Sequence, residues 1–449
     1  MENPSILVNG LGNASAWGNT DPTGFDPSKV QIYTLTFQRN QTNPEQTQKH
    51  LIRVINTSFD TTFTFTIDGH RMTVVEVDFV PIHGYPKGGT TTSITIGIGQ
   101  RYNIIVESLP RPSGTPDDSD SYWIRTYIPP DCTNSESPSG PGYMLNGILR
   151  YSSSSSSSSN DSTGGAPPPR PTSEPWPGVD ARPCANDPVT FEPVVRWNVG
   201  SPSNNGSIGE TRQVNTTKTT VANFTVGRLG LWAVDTDRSQ PLRINFSDPS
   251  FLNQNQSRPW KPEEVVLVED WKDIGPNDWL YITITNFNGF GPHPVRKTFC
   301  SPSPFCFCAY KVLTDPGAPT QMHLHGHDFA ILNISYAPPI PGQEVILNTD
   351  NPPRRDVVLV PQGGFVIIAF RADNPGNWLM HCHIARHAAE GLGLQILERP
   401  EKALEIWPPG QSQALNNTQN LCAAWTAWQQ SCKNWAVPCT DIFQDDSGV

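Results

Sequence analysis

Short runs of alternating apolar and polar residues cover much of this chain, and each run predicts a β-strand. The runs lie at residues 32–38, 51–56, 63–68 and 91–107, and again at 264–269, 281–286, 330–334, 356–361 and 364–370. Clusters of Pro and Gly, which number 45 and 35 in 449 residues, separate the runs and favour turns. Because alternation puts every second side chain on the same face of a sheet, the pattern predicts an all-β protein.

The strand-like runs form two groups, and each group predicts one Greek-key β-sandwich. The first group occupies residues 1–150 and the second occupies residues 186–400. Residues 151–185 hold a serine tract followed by a Pro- and Gly-rich stretch, a composition that predicts a flexible linker. Residues 401–449 are richer in helix-forming residues and tryptophan, which predicts a short helical C-terminal tail.

Composition argues against two classes of partner. Charged residues make up only 16% of the chain, the net charge is −11 and the pI is about 5.4. Without a basic patch to neutralise phosphates, nucleic acid is not an expected partner. No apolar run approaches the roughly 18 residues that a membrane-spanning helix needs, so we expect no membrane partner either.

A group of histidines with one cysteine is the strongest chemical signal in the chain. The sequence HCHIARH begins at His381. In an extended strand His381 and His383 share one face while Cys382 points to the other, so that one strand can serve two metal sites. Cys382 and His387, with Leu392 at a weak or absent axial position, match the ligands of a blue-copper centre. The alternative is a buried strand whose histidines are satisfied by hydrogen bonds.

A second cluster supports the first. Residues 322–329 read MHLHGHDF, which again places His323 and His325 on one face of a strand. Both clusters, together with the run NPGNWLM at residues 374–380, resemble the C-terminal copper signatures of the multicopper oxidases, and specifically of the ascomycete-type fungal laccases. The resemblance implies tandem cupredoxin-like sandwiches, corresponding to the second and third domains of that family, and copper as the cofactor.

The resemblance also implies a role for each candidate ligand. It assigns the trinuclear (type 2/type 3) copper cluster, where dioxygen is reduced to water, to His323, His325, His381 and His383. It assigns to Cys382 and His387 the type 1 copper, which takes single electrons from a phenolic substrate. We expect His327 to be structural rather than a ligand, and Asp328 or Asp356 to hydrogen-bond to ligating imidazoles.

The second histidine of the type 1 site is missing from its expected place. Relatives read His-Pro-x-His-Leu-His-Gly-His, but Thr320 and Gln321 precede Met322 here. Deleting residues 295–321 joins His293-Pro294 to Met322 and restores that pattern. The deleted segment begins with Val, whose codons start with GT, and ends with Gln, which CAG encodes. We predict that it is a retained intron, foreign to the fold, and that His293 is the type 1 ligand. The alternative is a genuine loop insertion.

The first sandwich carries no cluster of metal ligands, because His50, His70 and His83 are isolated in sequence. His70 follows a turn glycine and is predicted to be structural. In laccases an acidic residue at the position of Asp60 lies at the mouth of the type 1 pocket, so the resemblance implies that Asp60 accepts the proton of a phenolic substrate. The alternative is an ordinary exposed turn aspartate.

Two features predict export as a secreted glycoprotein. Acceptor sequons for N-glycosylation are dense, at Asn13, Asn40, Asn56, Asn160, Asn205, Asn215, Asn223, Asn245, Asn255, Asn333 and Asn416. Cys132 and Cys184 form a candidate disulfide in an oxidising compartment, although the sequence alone leaves the connectivity open. No basic and apolar leader follows Met1, so no signal peptide is predicted in this chain.

The family's first cupredoxin domain supplies half of the histidines of the trinuclear cluster, and this sequence matches only the other half. We therefore predict that this chain lacks that first domain and does not reduce oxygen as written. Two other classes stay open. One is a ferroxidase or an enzyme like ascorbate oxidase, and the other is a non-enzymatic copper-binding cupredoxin fragment.

Overall fold

The fold is described from a computed structural model of the chain. The residues it describes are 7–11, 32–39, 43, 45–59, 61–110, 121–129, 132, 145–152, 170–180, 184–185, 191–200, 242–261, 264, 266–269, 279–285, 320–337, 345–362, 364–371, 373–385, 388 and 393–431. The chain divides into two compact units, Met1–Val194 and Val195–Val449. Each unit is described by itself.

Unit 1 is built from two β-sheets. Its described strands are β1 Tyr33–Gln38, β2 Lys49–Ile55, β3 Phe63–Ile67, β4 Met72–Val77, β5 Val80–Tyr85, β6 Ser93–Ile96, β7 Arg101–Glu107, β8 Ser121–Tyr127 and β9 Leu145–Ser152. One sheet has the order β1-β9-β8-β3-β6 and the other has the order β2-β7-β4-β5. Neighbouring strands are mostly not consecutive in the chain, as in Greek-key sandwiches.

The core of unit 1 lies between these sheets. In β7 the alternation predicted from the sequence is realised, because Tyr102, Ile104 and Val106 are buried while the residues between them are partly exposed. These side chains pack with Ile67 of β3 and Leu149 of β9 in one apolar cluster. Burying each of them contributes about 1.5–3 kcal/mol, which makes the sandwich the natural outcome of the pattern.

Part of the predicted linker packs on unit 1. The Ser173 hydroxyl donates to the Asp68 carboxylate at 2.8 Å, and the Trp176 indole donates to the Ile67 carbonyl at 3.0 Å. Asp68 is fully buried and also forms an ion pair with Arg125 at 2.7 Å. Residues 170–180 therefore differ from the flexible linker that composition predicted, because the buried carboxylate provides a specific anchor. The serine tract from residue 153 onward lies outside the described residues.

Unit 2 also contains two sheets, followed by helices. Its described strands are β10 Val266–Glu269, β11 Trp279–Thr285, β12 Thr320–Leu324, β13 Phe329–Ser335, β14 Arg354–Arg355, β15 Val357–Val360, β16 Phe365–Arg371, β17 Gly376–Cys382 and β18 Gly393–Glu398. The sheets have the orders β10-β18-β17-β12-β15 and β11-β16-β13-β14. Helices α1 Pro400–Ile406 and α2 Gln413–Gln429 follow β18.

The all-β prediction with a helical tail is confirmed, and each predicted run contains a strand. The run 91–107 differs in detail, because it holds two strands rather than one. A turn separates β6 from β7, and Gly99 at its centre has φ 75°, a conformation that suits glycine. At the predicted insert, Thr320 and Gln321 are the first residues of β12, and residues 295–319 lie outside the described part.

The candidate cysteine pair of unit 1 is joined. Cys132 and Cys184 form a disulfide across 52 residues of sequence, and both are buried. The bond ties the segment after the serine tract to the first sandwich. None of the described helices is both long and apolar enough to cross a membrane.

Candidate metal centre

The pairing of β12 with β17 sorts the candidate ligands onto two faces of one sheet. His323 lies directly opposite His381, and Met322 lies directly opposite Cys382. Directly opposed residues of an antiparallel pair project to the same face, whereas successive residues project to opposite faces. The sheet therefore has a histidine face and a cysteine face, which meet at the peptide bond between His381 and Cys382.

On the histidine face the imidazoles converge. Ligand nitrogens of His323, His325 and His381 all lie within 4.8 Å of one another, the one such group of metal-capable side chains within the described residues. The Nε2 atoms of His325 and His381 are 3.0 Å apart. The His383 ring lies just past the end of β17, with its centroid 5.7 Å from that of His323 and 5.8 Å from that of His381.

Backbone carbonyls orient two of these rings. Nδ1 of His323 lies 2.8 Å from the carbonyl oxygen of Asp356, and Nδ1 of His381 lies 2.8 Å from that of Cys382. Because a carbonyl only accepts, each Nδ1 carries the proton and each Nε2 keeps the lone pair that a metal needs. Asp356 thus contacts His323, as expected, but through its backbone carbonyl rather than its carboxylate.

The protonation states suit metal binding. Burial, reinforced by the neighbouring imidazoles, lowers the pKa of His381 to about 3 and that of His325 to about 4, so both rings are neutral at pH 7. Burial raises the pKa of Cys382 to about 12. A bound cation reverses that shift and holds the thiolate. Neutral imidazoles on one face and a buried thiol on the other form a donor set that fits copper.

His327 and Asp328, which follow the cluster, have different partners. Nδ1 of His327 lies 3.1 Å from the carbonyl oxygen of His325, and its Nε2 lies 3.0 Å from a carboxylate oxygen of Glu398. Both ring nitrogens of His327 therefore lie close to oxygen atoms, although the Nε2 contact with Glu398 is a close approach without hydrogen-bond geometry. Asp328 lies 3.5 Å from the Arg354 guanidinium rather than beside a ligating imidazole. Sequence reasoning missed Glu398, because a single glutamate at the end of an apolar strand gives no signal.

The remaining candidates lie outside the described residues. These are the type 1 candidates His293, His387 and Leu392, and the substrate-pocket candidate Asp60. Of the predicted type 1 ligands the structure describes Cys382 alone, which is fully buried, with the Ile384 N–H donating to its sulfur at 3.4 Å.

Tandem β-sandwiches, with converging imidazoles beside a buried thiol, define a copper-binding protein of the cupredoxin type. Family models described as multicopper oxidase match residues 1–154 and residues 311–402. The chain belongs to the multicopper oxidase family. The second match begins inside the segment that the sequence predicts to be an insert.

Fungal laccases and a related oxidase are among its relatives. A laccase of Arthroderma benhamiae is 35% identical over 90% of this chain and 56% of the relative. The dihydrogeodin oxidase of Aspergillus terreus is 32% identical over 99% of this chain and 64% of the relative. The crystal structure of the Botrytis aclada laccase superposes with a TM-score of 0.65 and 28% identity, covering all of this chain and 66% of that one. The chain therefore spans less than two thirds of the length of these relatives.

Proposed function

We propose that this protein takes part in a laccase-like reaction, the one-electron oxidation of phenolic substrates coupled to the reduction of dioxygen to water. Four substrate molecules each lose one electron, and dioxygen takes up four electrons and four protons to give two waters. The observation that carries the proposal is the arrangement of β17, where a buried thiol and a histidine cluster occupy opposite faces at adjacent residues. Copper, when bound, supplies the one-electron redox couple and the dioxygen chemistry.

Each face has its own part in the proposal. The histidine face holds part of the trinuclear site through His323, His325, His381 and His383. The cysteine face holds the type 1 site through Cys382, with His387 and His293 as further ligands and Leu392 at the axial position. Cys382 is bonded through its backbone to His381 and His383, so a short covalent path connects the two sites.

Thr320 supports the assignment of His293. Its hydroxyl is buried and has no hydrogen-bond partner among the residues that the structure describes, although an orphaned buried hydroxyl costs about 1–3 kcal/mol. Removing residues 295–321 puts His293 at the Thr320 position of β12 and replaces that hydroxyl with an imidazole. Sequencing the mature transcript tests the retained-intron proposal, and a message that keeps the segment refutes it.

The deletion variant tests the ligand itself. The chain lacking residues 295–321 is expected to gain the strong visible absorption of a blue-copper site, and His293→Ala in that background is expected to lose it. A Thr320→Val variant of the full chain serves as the control, because it removes the orphaned hydroxyl without supplying a ligand. Equal absorption in all three proteins refutes the role of His293.

Asp60 is proposed to receive the phenolic proton. Removing an electron from a phenol is easier as its proton leaves, and a carboxylate within hydrogen-bond reach takes that proton. The whole reaction is tested by copper analysis and by oxygen uptake with a phenol. The purified protein is expected to bind copper at Cys382 and at the histidine face, and protein that binds none refutes the proposal.

Secretion is part of the same proposal. The dense sequons and the disulfide between Cys132 and Cys184 suit an oxidising, extracellular setting. Cys382 is protected in that setting because it is fully buried. The prediction is that the natural protein is recovered from the culture medium as a glycoprotein.

A further inference from the structure

Polar side chains that have no part in the proposed reaction hold the turn that carries His325, and two of them are buried. The turn runs from His325 to Asp328 and connects β12 with β13. The His327 side chain within it is only 4% exposed, and the Glu398 side chain is fully buried. Burying charged or polar side chains is costly, so a buried pair at this place is expected to have a structural role.

The first set of contacts is made by His327 and Glu398. Nδ1 of His327 reaches the His325 carbonyl at 3.1 Å, and Nε2 lies 3.0 Å from Glu398. The other carboxylate oxygen of Glu398 accepts from the Asn374 backbone N–H at 2.9 Å. The carboxylate of Glu398, the last residue of β18, thus lies against an imidazole whose other nitrogen reaches the backbone of the candidate ligand His325.

The second set of contacts is made by Asn374 and Trp378. The Asn374 side-chain amide donates to the Gly326 carbonyl at 2.8 Å, and the Trp378 indole donates to the Asn374 carbonyl at 2.6 Å. A Cβ added at Gly326 would lie 2.5 Å from the Trp378 ring, so the turn rests directly on the indole. The His327 ring in turn contacts Phe370, at 4.9 Å between centroids.

We propose that Glu398 and His327 are positioning residues that fix the imidazole of His325 on the histidine face. The inference rests on the proposed function, because it takes His325 as a copper ligand. The first set of contacts reaches the His325 carbonyl and the second reaches the Gly326 carbonyl, so both act on the backbone of the turn. They set where Nε2 of His325 stands relative to Nε2 of His381, at 3.0 Å. Losing such support around a metal ligand typically weakens metal binding by about 10–100-fold.

The test compares copper binding by purified variants of the full chain. Glu398→Gln keeps an acceptor for the Asn374 N–H but loses the charge that faces His327. It is expected to weaken Cu(II) binding at the histidine face by about 10–100-fold in competition with a chelator. Its Cu(II) paramagnetic resonance spectrum is also expected to change.

A second pair of variants separates the two nitrogens of His327. His327→Asn puts an amide near the Nδ1 position and keeps a donor for the His325 carbonyl. His327→Gln puts its amide near the Nε2 position and keeps only a partner for Glu398. The Asn variant is expected to retain more of the wild-type spectrum than the Gln variant. If Glu398→Gln does not fold, this pair carries the test.

Glu264→Gln is the matched control. Glu264 is another buried glutamate of unit 2, and it pairs with Arg258 at 2.7 Å instead of contacting the histidine turn. Its substitution is expected to lower the thermal midpoint without altering the copper spectrum. Wild-type protein that binds no Cu(II) at the histidine face refutes both the proposed function and this inference. Wild-type binding that Glu398→Gln and His327→Gln leave unchanged refutes the positioning role alone.

Discussion

Asn56 shows how burial changes the interpretation of a short motif. It begins a sequon but is only 5% exposed, and its side-chain amide donates to the carbonyls of Thr61 at 2.8 Å and Ile96 at 2.9 Å. A glycan on that nitrogen removes a donor and has no space. Asn255, by contrast, is exposed, and its side-chain oxygen accepts from the Ser257 N–H at 3.1 Å.

We predict that protein secreted from a eukaryotic host carries a glycan at Asn255 and none at Asn56. Glycopeptide mass spectrometry measures both sites in one sample. Asn255→Gln should remove one glycan and leave the fold intact, whereas Asn56→Gln should destabilise unit 1. Substantial occupancy of Asn56 in folded protein contradicts the prediction.

His70 is structural, as its sequence context suggested, and it gives unit 1 a dependence on pH. Its Nδ1 donates to the Asp68 carbonyl at 2.8 Å, and its Nε2 accepts from the Tyr151 hydroxyl at 2.6 Å. Burial lowers the pKa of His70 to about 4, and the nearby charges of His50 and Arg39 lower it further. The folded ring is therefore neutral where the unfolded ring, with a pKa of about 6.5, begins to bind a proton.

The free energy of unfolding should consequently fall as the pH drops from about 6.5 towards 4, by up to about 3 kcal/mol from this one group. Above that window the group contributes no pH dependence. Urea unfolding of wild type and His70→Gln at a series of pH values measures the difference in slope. A wild-type slope in His70→Gln refutes the assignment.

At the scale of residues, the candidate copper ligands could be picked out from the sequence, and the groups that contact them could not. Histidine and cysteine are rare, so their spacing at His323 to His325 and at His381 to His383 is a signal in itself. Glu398, in contrast, acquires its role only when β18 pairs beside β17. The carbonyl of Asp356 carries no sequence information at all, since every residue has one.

At the scale of elements, the turn between β12 and β13 depends on Gly326. Its φ is 74°, and a Cβ there would lie 2.5 Å from the Trp378 ring. Gly326→Ala should lower the free energy of unfolding by about 3 kcal/mol or more, because backbone strain and overlap add. Gly410→Ala, at φ 76° with nothing within 4 Å, should cost only about 1–2 kcal/mol. Equal losses in urea unfolding contradict the role assigned to the indole.

Alternation located strands well and their ends less well. Alternation cannot distinguish one long strand from two successive strands with the same alternation of apolar and polar residues. For this reason the turn at Gly99 was not predicted. Composition likewise predicted a linker at residues 170–180, because a stretch rich in Pro and Gly gives no sign that Ser173 and Trp176 make specific hydrogen bonds. Both differences arise from contacts with residues distant in sequence, such as Asp68 and Ile67.

At the scale of the whole molecule, the disulfide belongs to one unit only. Cys132 and Cys184 both lie in unit 1, and closing a loop of 52 residues stabilises a folded unit by up to about 4 kcal/mol. The double variant Cys132→Ser/Cys184→Ser should therefore unfold unit 1 at lower urea while Cu(II) binding by unit 2 persists. Cys422→Ser, in α2, is the control that leaves unit 1 unchanged. Simultaneous loss of both signals contradicts independent stabilisation.

The family could be recognised from two short segments, but the extent of the protein's chemistry could not. The histidine face is described in full, whereas the type 1 site is described only at Cys382. Whether residues 295–321 belong to the mature chain determines which residue occupies the Thr320 position of β12, two residues before the Met322 that lies opposite that cysteine. This is a question about the transcript, and strand pairing bears on it only through the orphaned hydroxyl of Thr320.

The division of β17 into two faces also limits how this gene can change. A substitution between the ligands alters one contact, but gaining or losing a single residue within Gly376–Cys382 reverses the side of every residue beyond the change. The thiol then arrives on the histidine side and an imidazole on the thiol side, so both sites are lost in one step. Codon insertions and deletions should accordingly be far less tolerated in this strand than point substitutions.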